Sequence, residues 1–363
     1  MQLSNKNQNI RMIMNIIIFR KWNGLLKLLI LVFILTEMGL SGYGQEVKKV
    51  GTSAATFLRI PVGARGTAMG SAFASVADDA SAMFWNPGGV ARLPGYALLV
   101  DHAKWLPGLN YNYFGVVIPL QAVGNIGINV TALGTEEMDI TTPDQPMGTG
   151  EKFDATSIEV GITISRNLTD RFSLGGNIKY INEKILNSSA AGFAIDVGAL
   201  YDTPFPRIRL GFCISNVGTK MQMSGDDLNV RVDIAPDQEG NNQSVTGSLN
   251  TGKFDLPLIM RLGLSWDAIK GERNRFTLAV DGINPNDNGQ SVSAGAELAL
   301  FKEVLFLRGG FNELFLEQRE KGLTLGAGVS AKTSSGLGFL ADYAYQEFTH
   351  LGGINRFTLA LVF

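Results

Sequence analysis

The chain offers few side chains for strong chemistry: two histidines, His102 and His350, and one cysteine, Cys213. That leaves too little for a histidine-built metal site or a His-based triad, and a lone cysteine forms no internal disulfide. The run Asn284-Pro285-Asn286-Asp287-Asn288-Gly289 has the composition of a calcium loop, but its twelfth position is Gly295, where such a loop needs a bidentate glutamate. It reads as a polar external loop. Gly63, Gly66 and Gly70 have neither the dinucleotide spacing nor the Gly-Lys-Ser/Thr ending of a phosphate loop, so close packing is their better reading. Asn129-Val130-Thr131 and Asn167-Leu168-Thr169 match a glycosylation acceptor, but within or beside strands the matches read as chance. Cys213, between Phe212 and Ile214, reads as a small inward filler. No nucleophile, base and orienting group come together, so no catalytic residue, metal or cofactor is expected and the chain does not read as an enzyme.

A second set of ionisable residues is more informative: Glu159, Lys179, Asp196, Arg209, Arg261, Asp281, Glu297, Arg308 and Asp342. Each falls on the polar or small row of a segment that alternates with period two. Ile158, Val160, Ile162 and Ile164 alternate with Glu159, Gly161, Thr163 and Ser165; Leu258, Met260, Leu262, Leu264 and Trp266 alternate with Ile259, Arg261, Gly263 and Ser265. Successive side chains of a strand point to opposite faces, so each segment has one oily face and one small or polar face.

Such segments run from near Tyr96 to the last residue, at about 96–105, 110–119, 125–136, 156–167, 172–185, 190–201, 207–216, 256–267, 275–283, 291–300, 304–312, 322–332, 336–346 and 355–363. Fourteen strands of roughly 9–11 residues suit a tilted crossing of a bilayer. The connections alternate as well. Long polar ones (137–155, 186–189, 217–255, 284–290, 313–321, 347–354) are expected on one rim and short turns on the other, with 106–109 short against that rule. An even count places both ends of the barrel on the short-turn, periplasmic side. A soluble β-sandwich also alternates, but its polar faces would meet water and carry more charge than this Gly-, Ser-, Thr- and Ala-rich row. The fold expected is all-β: a closed transmembrane antiparallel barrel of about 14 strands, closed because lipid offers no partner to an open sheet edge. Phe363, ending an alternating strand, resembles the C-terminal assembly signal of outer-membrane barrels.

Composition agrees. Charged residues make up 18% of the 363, against a usual ~25%, and 43 glycines exceed the usual ~7%. A formal net charge of −2 gives no bulk attraction for nucleic acid. Residues 1–44 run from Arg20, Lys21 and Lys27 through an apolar stretch, Leu28 to Leu35, to Ser41-Gly42-Tyr43-Gly44. That is the order of a cleaved signal peptide, too short in its apolar core to span a bilayer. The mature chain then has 26 basic against 32 acidic residues. Export, and a place in the Gram-negative outer membrane among its lipids, are the expectation.

Residues 45–95 lack the period of two and read as a small-residue hatch or plug within the lumen, ahead of a barrel over 96–363. Short helices are expected over Ala68–Ser75 and Asp78–Trp85, with Asp78 and Asp79 in a helix's first turn and Asn86-Pro87-Gly88-Gly89 as a stop. Phe57-Leu58, Pro61, Gly63-Ala64-Arg65, Ala68-Met69-Gly70, Ala77-Asp78-Asp79 and Trp85-Asn86-Pro87 resemble the N-terminal signature of the PorV/PorQ family, and Gly352 to Phe363 is similar to its last strand. That family is related to the long-chain fatty-acid transporter superfamily, fourteen-stranded barrels with an N-terminal hatch. Asn86-Pro87-Gly88 matches two positions of the Asn-Pro-Ala motif of those hatches; Gly88 departs.

The resemblance implies an outer-membrane protein that assists type IX protein secretion or cell-surface attachment, with secretion-system components and secreted cargo as partners. Loop 217–255 is the expected docking surface. The alternative is an outer-membrane transporter for a hydrophobic small molecule such as a long-chain fatty acid. The inward charges are expected to pair with one another and with the hatch, Arg65 meeting a barrel carboxylate, rather than to form a polar solute path.

Overall fold

The computed structural model describes residues 50–120, 123–237, 244–316, 319–334 and 336–363. The proposed signal peptide, 1–44, lies outside the described residues. The remainder is a closed antiparallel barrel of fourteen strands: β1 (Ala97–Leu106), β2 (Leu109–Leu120), β3 (Gly124–Thr135), β4 (Ala155–Thr169), β5 (Phe172–Ile185), β6 (Ser188–Asp202), β7 (Ile208–Gly218), β8 (Ile259–Lys270), β9 (Arg275–Pro285), β10 (Ser291–Leu300), β11 (Leu305–Leu314), β12 (Lys321–Lys332), β13 (Gly338–Phe348) and β14 (Gly352–Val362). Each pairs with its sequence neighbours, and β14 closes on β1 from Ala97 opposite Val362 to Ala103 opposite Arg356. Phe363 extends this seam: its N–H donates to the Tyr96 carbonyl and its ring stacks on that of Tyr96 at 5.6 Å.

The two faces of the wall are chemically opposite. Outward residues are large and apolar yet lie open: Ile162 is 54% exposed, Leu262 62% and Leu359 63%. Inward neighbours such as Thr163, Asp281 and Glu297 are wholly buried. In water, leaving so many oily side chains exposed would forfeit about 1.5–3 kcal/mol apiece. Lipid removes that cost, and a closed ladder satisfies every backbone group the lipid cannot.

The eighth strand starts three residues later than the alternation suggests. Leu256 and Pro257 tuck inward instead, Pro257 having no N–H for the ladder and using its carbonyl to accept from Asn216 Nδ2. The rims also differ from expectation. The connection after β5 is a two-residue turn, with Leu186 at φ 52°, and that after β13 spans only 349–351. Two connections on that rim are truly long, 136–154 and 219–258. The second is built as ribbons, Asn229–Val232 pairing with Val245–Ser248 and Met221–Gln222 with Lys253–Phe254. A third, the β9–β10 loop, is not simply an exposed polar loop. Asp287 is buried, and its carboxylate accepts from Arg59 Nη1 at 3.1 Å and from the Ser53 hydroxyl.

Residues 50–95 lie inside the ring of strands. They comprise a 3-10 turn (Thr56–Arg59), α1 (Ala64–Ala68), α2 (Ala82–Trp85) and a 3-10 turn (Pro87–Arg92). The first helix sits earlier than expected, and the second occupies only the last turn of the expected 78–85. Gly70 and Ser71 adopt left-handed backbone (φ 64° and 61°), which ends helical winding where a helix over 68–75 would begin. Asp79 precedes α2 rather than entering its first turn; its Oδ1 accepts from the N–H and hydroxyl of Ser81. The segment runs from the long-loop rim, where Ala54 N–H donates to the Asp255 carbonyl, to the short-turn rim at Tyr96. Both ends of the strand wall thus lie at the short-turn rim, as the even count requires, but Ala54 does not.

Candidate functional site

The hatch touches the wall backbone to backbone. Gly295 and Gly310 leave room for the Met69–Gly70 backbone; a Cβ on Gly310 would meet the Met69 carbonyl carbon and the Gly70 nitrogen. Gly211 and Gly263 do the same for Ala74 and Ser75, and Gly175 and Gly198 for Pro87 and its neighbours. The small inward row that alternation revealed is therefore a seat for the hatch main chain, not merely a filling for a narrow lumen.

Hydrogen bonds fix each of these contacts. Asn86 is fully buried: its Nδ2 donates to the carbonyls of Ala74 (2.7 Å) and Ala199 (3.0 Å), and its Oδ1 accepts from Gly88 N–H. Pro87, next to it, opens the following 3-10 turn without an N–H to satisfy. Trp85 donates from Nε1 to the Val62 carbonyl at 2.8 Å and packs edge-on against Phe73 and Phe84. Asp281 accepts from Phe73 and Ala74 N–H at 2.9 and 2.8 Å. Thr324 exchanges bonds with Gly70 and Ala68.

The strongest electrostatic feature lies toward the short-turn rim. The Glu297 carboxylate, completely buried, accepts from three guanidinium groups: Arg65 (2.8 and 3.1 Å), Arg275 (2.8 Å) and Arg308 (2.7 Å). Arg308 also binds Asp342 at 2.5 Å, and Arg65 reaches Asp78 (2.5 Å) and Asp79 (3.2 Å). One chain of ion pairs thus joins hatch and wall. Such a network is worth little over a well-packed apolar core, but removing one member strands a buried charge.

The other predicted charges are dispersed around the lumen. Lys179 pairs with Asp196 (2.6 Å), and Glu159 accepts from Asn129 and Thr131. Arg209 pairs with Asp202 (2.8 Å). Arg261 faces the rings of Phe84 and Trp85 at 5.7 and 5.6 Å. Cys213 is buried on β7, 3.3 Å from Ser215 Oγ. His102 meets Asn112, and His350 meets Glu320 on an exposed turn, both away from the lumen charges.

Sequence reasoning missed the seam. Arg356 binds Asp101 between the last and first strands, both buried, and Thr358 donates to Asp101 at 2.6 Å. Arg356 was legible, since it alternates with Phe357 and Leu359. Asp101 was not, because β1 has apolar residues on both rows (Leu98, Leu99, Val100) and the face stays ambiguous. Arg59–Asp287 and Arg92–Asp202 were also missed, since their partners lie in loops or at strand ends where alternation stops.

The lumen is asymmetric. Toward the long-loop rim one side is apolar, Phe57 and Leu58 of the hatch forming one cluster with Tyr111, Ile181, Met221 and Leu256, while the other side carries Arg59, Asp287, Arg261 and Lys321. Toward the short-turn rim a vestibule of about 850 Å³ opens, bordered by Arg171, Arg207, Arg209, Lys270, Asp202 and Asp267.

No protein-family model and no curated protein matches the chain. Solved structures do. The Pseudomonas putida toluene transporter TodX aligns at 12% identity over 83% of this chain and 96% of its own (TM-score 0.52). The monoaromatic hydrocarbon channel CymD aligns at 12% over 83% and 96% (TM-score 0.51), and the Ralstonia pickettii toluene transporter TbuX at 12% over 83% and 97% (TM-score 0.50). The chain therefore has the architecture of outer-membrane hydrocarbon-transporter barrels, a fold matching that of Gram-negative outer-membrane proteins. Identity at this level speaks for the fold and not for a substrate.

Proposed function

We propose that this protein is a non-enzymatic outer-membrane barrel that admits a hydrophobic small molecule at its long-loop mouth. The observation that carries the reading is the apolar cluster there, formed by Phe57, Leu58, Tyr111, Ile181, Met221 and Leu256 in front of the hatch. Displacing the Phe57–Leu58 turn would uncover an apolar surface of the kind a hydrocarbon or a long-chain fatty acid requires. The toluene and monoaromatic-hydrocarbon transport of the similar structures supports the same class of solute. The solute would take the place of Phe57 and Leu58, whose turn has to swing aside. Cells lacking the protein are expected to take up labelled toluene or oleate several-fold more slowly, with recovery on re-expression. Unchanged uptake of both would sink this reading.

A second reading has its own observation. Within the 219–258 connection the ribbon of Asn229–Val232 and Val245–Ser248 is largely exposed, a surface suited to transient protein contacts. With the hatch sequence resembling the PorV/PorQ signature, this favours a role in type IX secretion or surface attachment, with secretion components and cargo as partners and outer-membrane lipid around the wall.

A further inference from the structure

Among the buried guanidinium groups of the lumen, Arg261 stands apart. Arg65, Arg308 and Arg356 each hold a carboxylate. Arg261, only 6% exposed, has no carboxylate within ion-pair distance among the described residues. Its Nη1 makes one long bond to Ser215 Oγ (3.4 Å), and its Nε–H has no partner. Aromatic faces offer the cation some attraction but no acceptor for its N–H groups. Asp281 and Asp196 attract the guanidinium through space without touching it, so its Nε–H still lacks an acceptor in direct contact, and a buried donor without an acceptor is costly.

The space beside it is also built. Arg261 lines a pocket of about 60 Å³ between the hatch (Arg59, Pro61, Trp85) and β8–β12, reached from the long-loop rim past Asn288 and Leu316. Two more lining groups are buried without partners: the Ser293 hydroxyl and the Asn312 Nδ2 amide, on residues 1% and 2% exposed. The lining cations Arg59 and Lys321 are already held by Asp287 and Glu313. Glu313, the carboxylate of the lining, accepts from Lys321 Nζ and from the N–H groups of Glu320 and Lys321. Three donors therefore line this space without an acceptor, one of them on a guanidinium that touches no carboxylate among the described residues.

We propose that this pocket binds a free oxyanion of the size of phosphate or acetate, with Arg261 as its counter-charge and Ser293 and Asn312 as further donors. Charge and donor excess call for an anion that accepts several hydrogen bonds. The volume admits a few water-sized groups, at ~10–15 Å³ each, and not an acyl chain. The inference does not depend on the transport reading.

The test uses the mature chain in detergent micelles. Its unfolding midpoint should rise with inorganic phosphate or acetate at constant ionic strength, relative to chloride. The rise should vanish in Arg261→Gln and shrink in Ser293→Ala, while glycerol phosphate, whose glycerol portion must project through the mouth, should give a smaller one. In the native chain, phenylglyoxal modification of Arg261, read by peptide mass, should slow in phosphate but not in chloride. That measurement stands even if Arg261→Gln fails to fold. No rise with either anion, an equal rise in Arg261→Gln, equal modification in both salts, or a larger effect of glycerol phosphate would each overturn the assignment.

Discussion

Glu297 shows how one side chain ties two parts of the molecule together. Its carboxylate neutralises Arg65 of the hatch together with Arg275 and Arg308 of the wall. Glu297→Gln leaves these guanidinium groups short of negative charge in a buried site, which costs about 3–5 kcal/mol. The variant should therefore unfold at lower denaturant concentration. Combined with Arg308→Met, which also frees Asp342, the loss should be smaller than the sum of the two single losses, since the two changes share one interaction. A double variant as weak as the sum of the singles would show that the network is not a unit. At Gly310 the expected effect is steric. A valine there meets the Met69–Gly70 backbone, so the hatch must shift while the wall still forms. Limited proteolysis should then cut within 50–95 before it cuts the strands.

The elements divide by how they are held. The hatch has little regular structure of its own, α1 and α2 being one turn each, and takes its shape from the wall that surrounds it. The ribbon over Asn229–Val232 and Val245–Ser248 pairs only with itself within the described sheets. Replacing 229–248 by a short Gly-Ser link should leave a barrel that folds and still shifts on heating in gels. If the docking reading holds, cargo at the cell surface should be lost, and unchanged cargo would count against it. The base of this connection is fastened by Asp227. A slight desolvation notwithstanding, bonds from the N–H and side chain of Asn187 and from Ser188 hold its carboxyl below the usual aspartate range. The native pKa lies below the unfolded one, so this contact is fully present above about pH 4 and is lost as pH falls through the lowered native value. Amide exchange at Asn187 should quicken over that acidic interval and not in Asp227→Asn, where the titrating group is gone.

At the scale of the whole molecule, the wall is stable only in a solvent that accepts its outer face. Leu262, 62% exposed on the outer face of β8, is the sharpest probe. Leu262→Arg places a charge where lipid gives it no partner, at a cost of about 2–4 kcal/mol near the bilayer midplane. Folding into phospholipid vesicles should weaken by that amount, whereas Ser265→Thr, on the lumen row, should change it little. A Leu262→Arg variant as stable in vesicles as the native chain would argue that this face does not meet lipid. The seam is the other global feature. Asp101–Arg356 and the Tyr96–Phe363 stack close the first strand on the last, so loss of Phe363 should slow barrel closure and assembly.

The sequence alone determined the strand count, the face of each alternating residue and the small inward row, because a strand's two-residue period is local and survives any tertiary arrangement. The inward direction of Glu297, Arg308, Asp342 and Arg261 follows from that period; their partners do not. Which carboxylate meets Arg65, that Asp287 turns in to hold the hatch, and that Arg261 has no carboxylate of its own are decided by which strands lie opposite one another across the closed ring. The first hatch helix was misplaced for the same reason. Gly70 takes left-handed backbone where it presses against β10 and β11, strands more than 220 residues further along the chain. Local spacing sets which way a side chain points, and only closure of the barrel sets what it meets there.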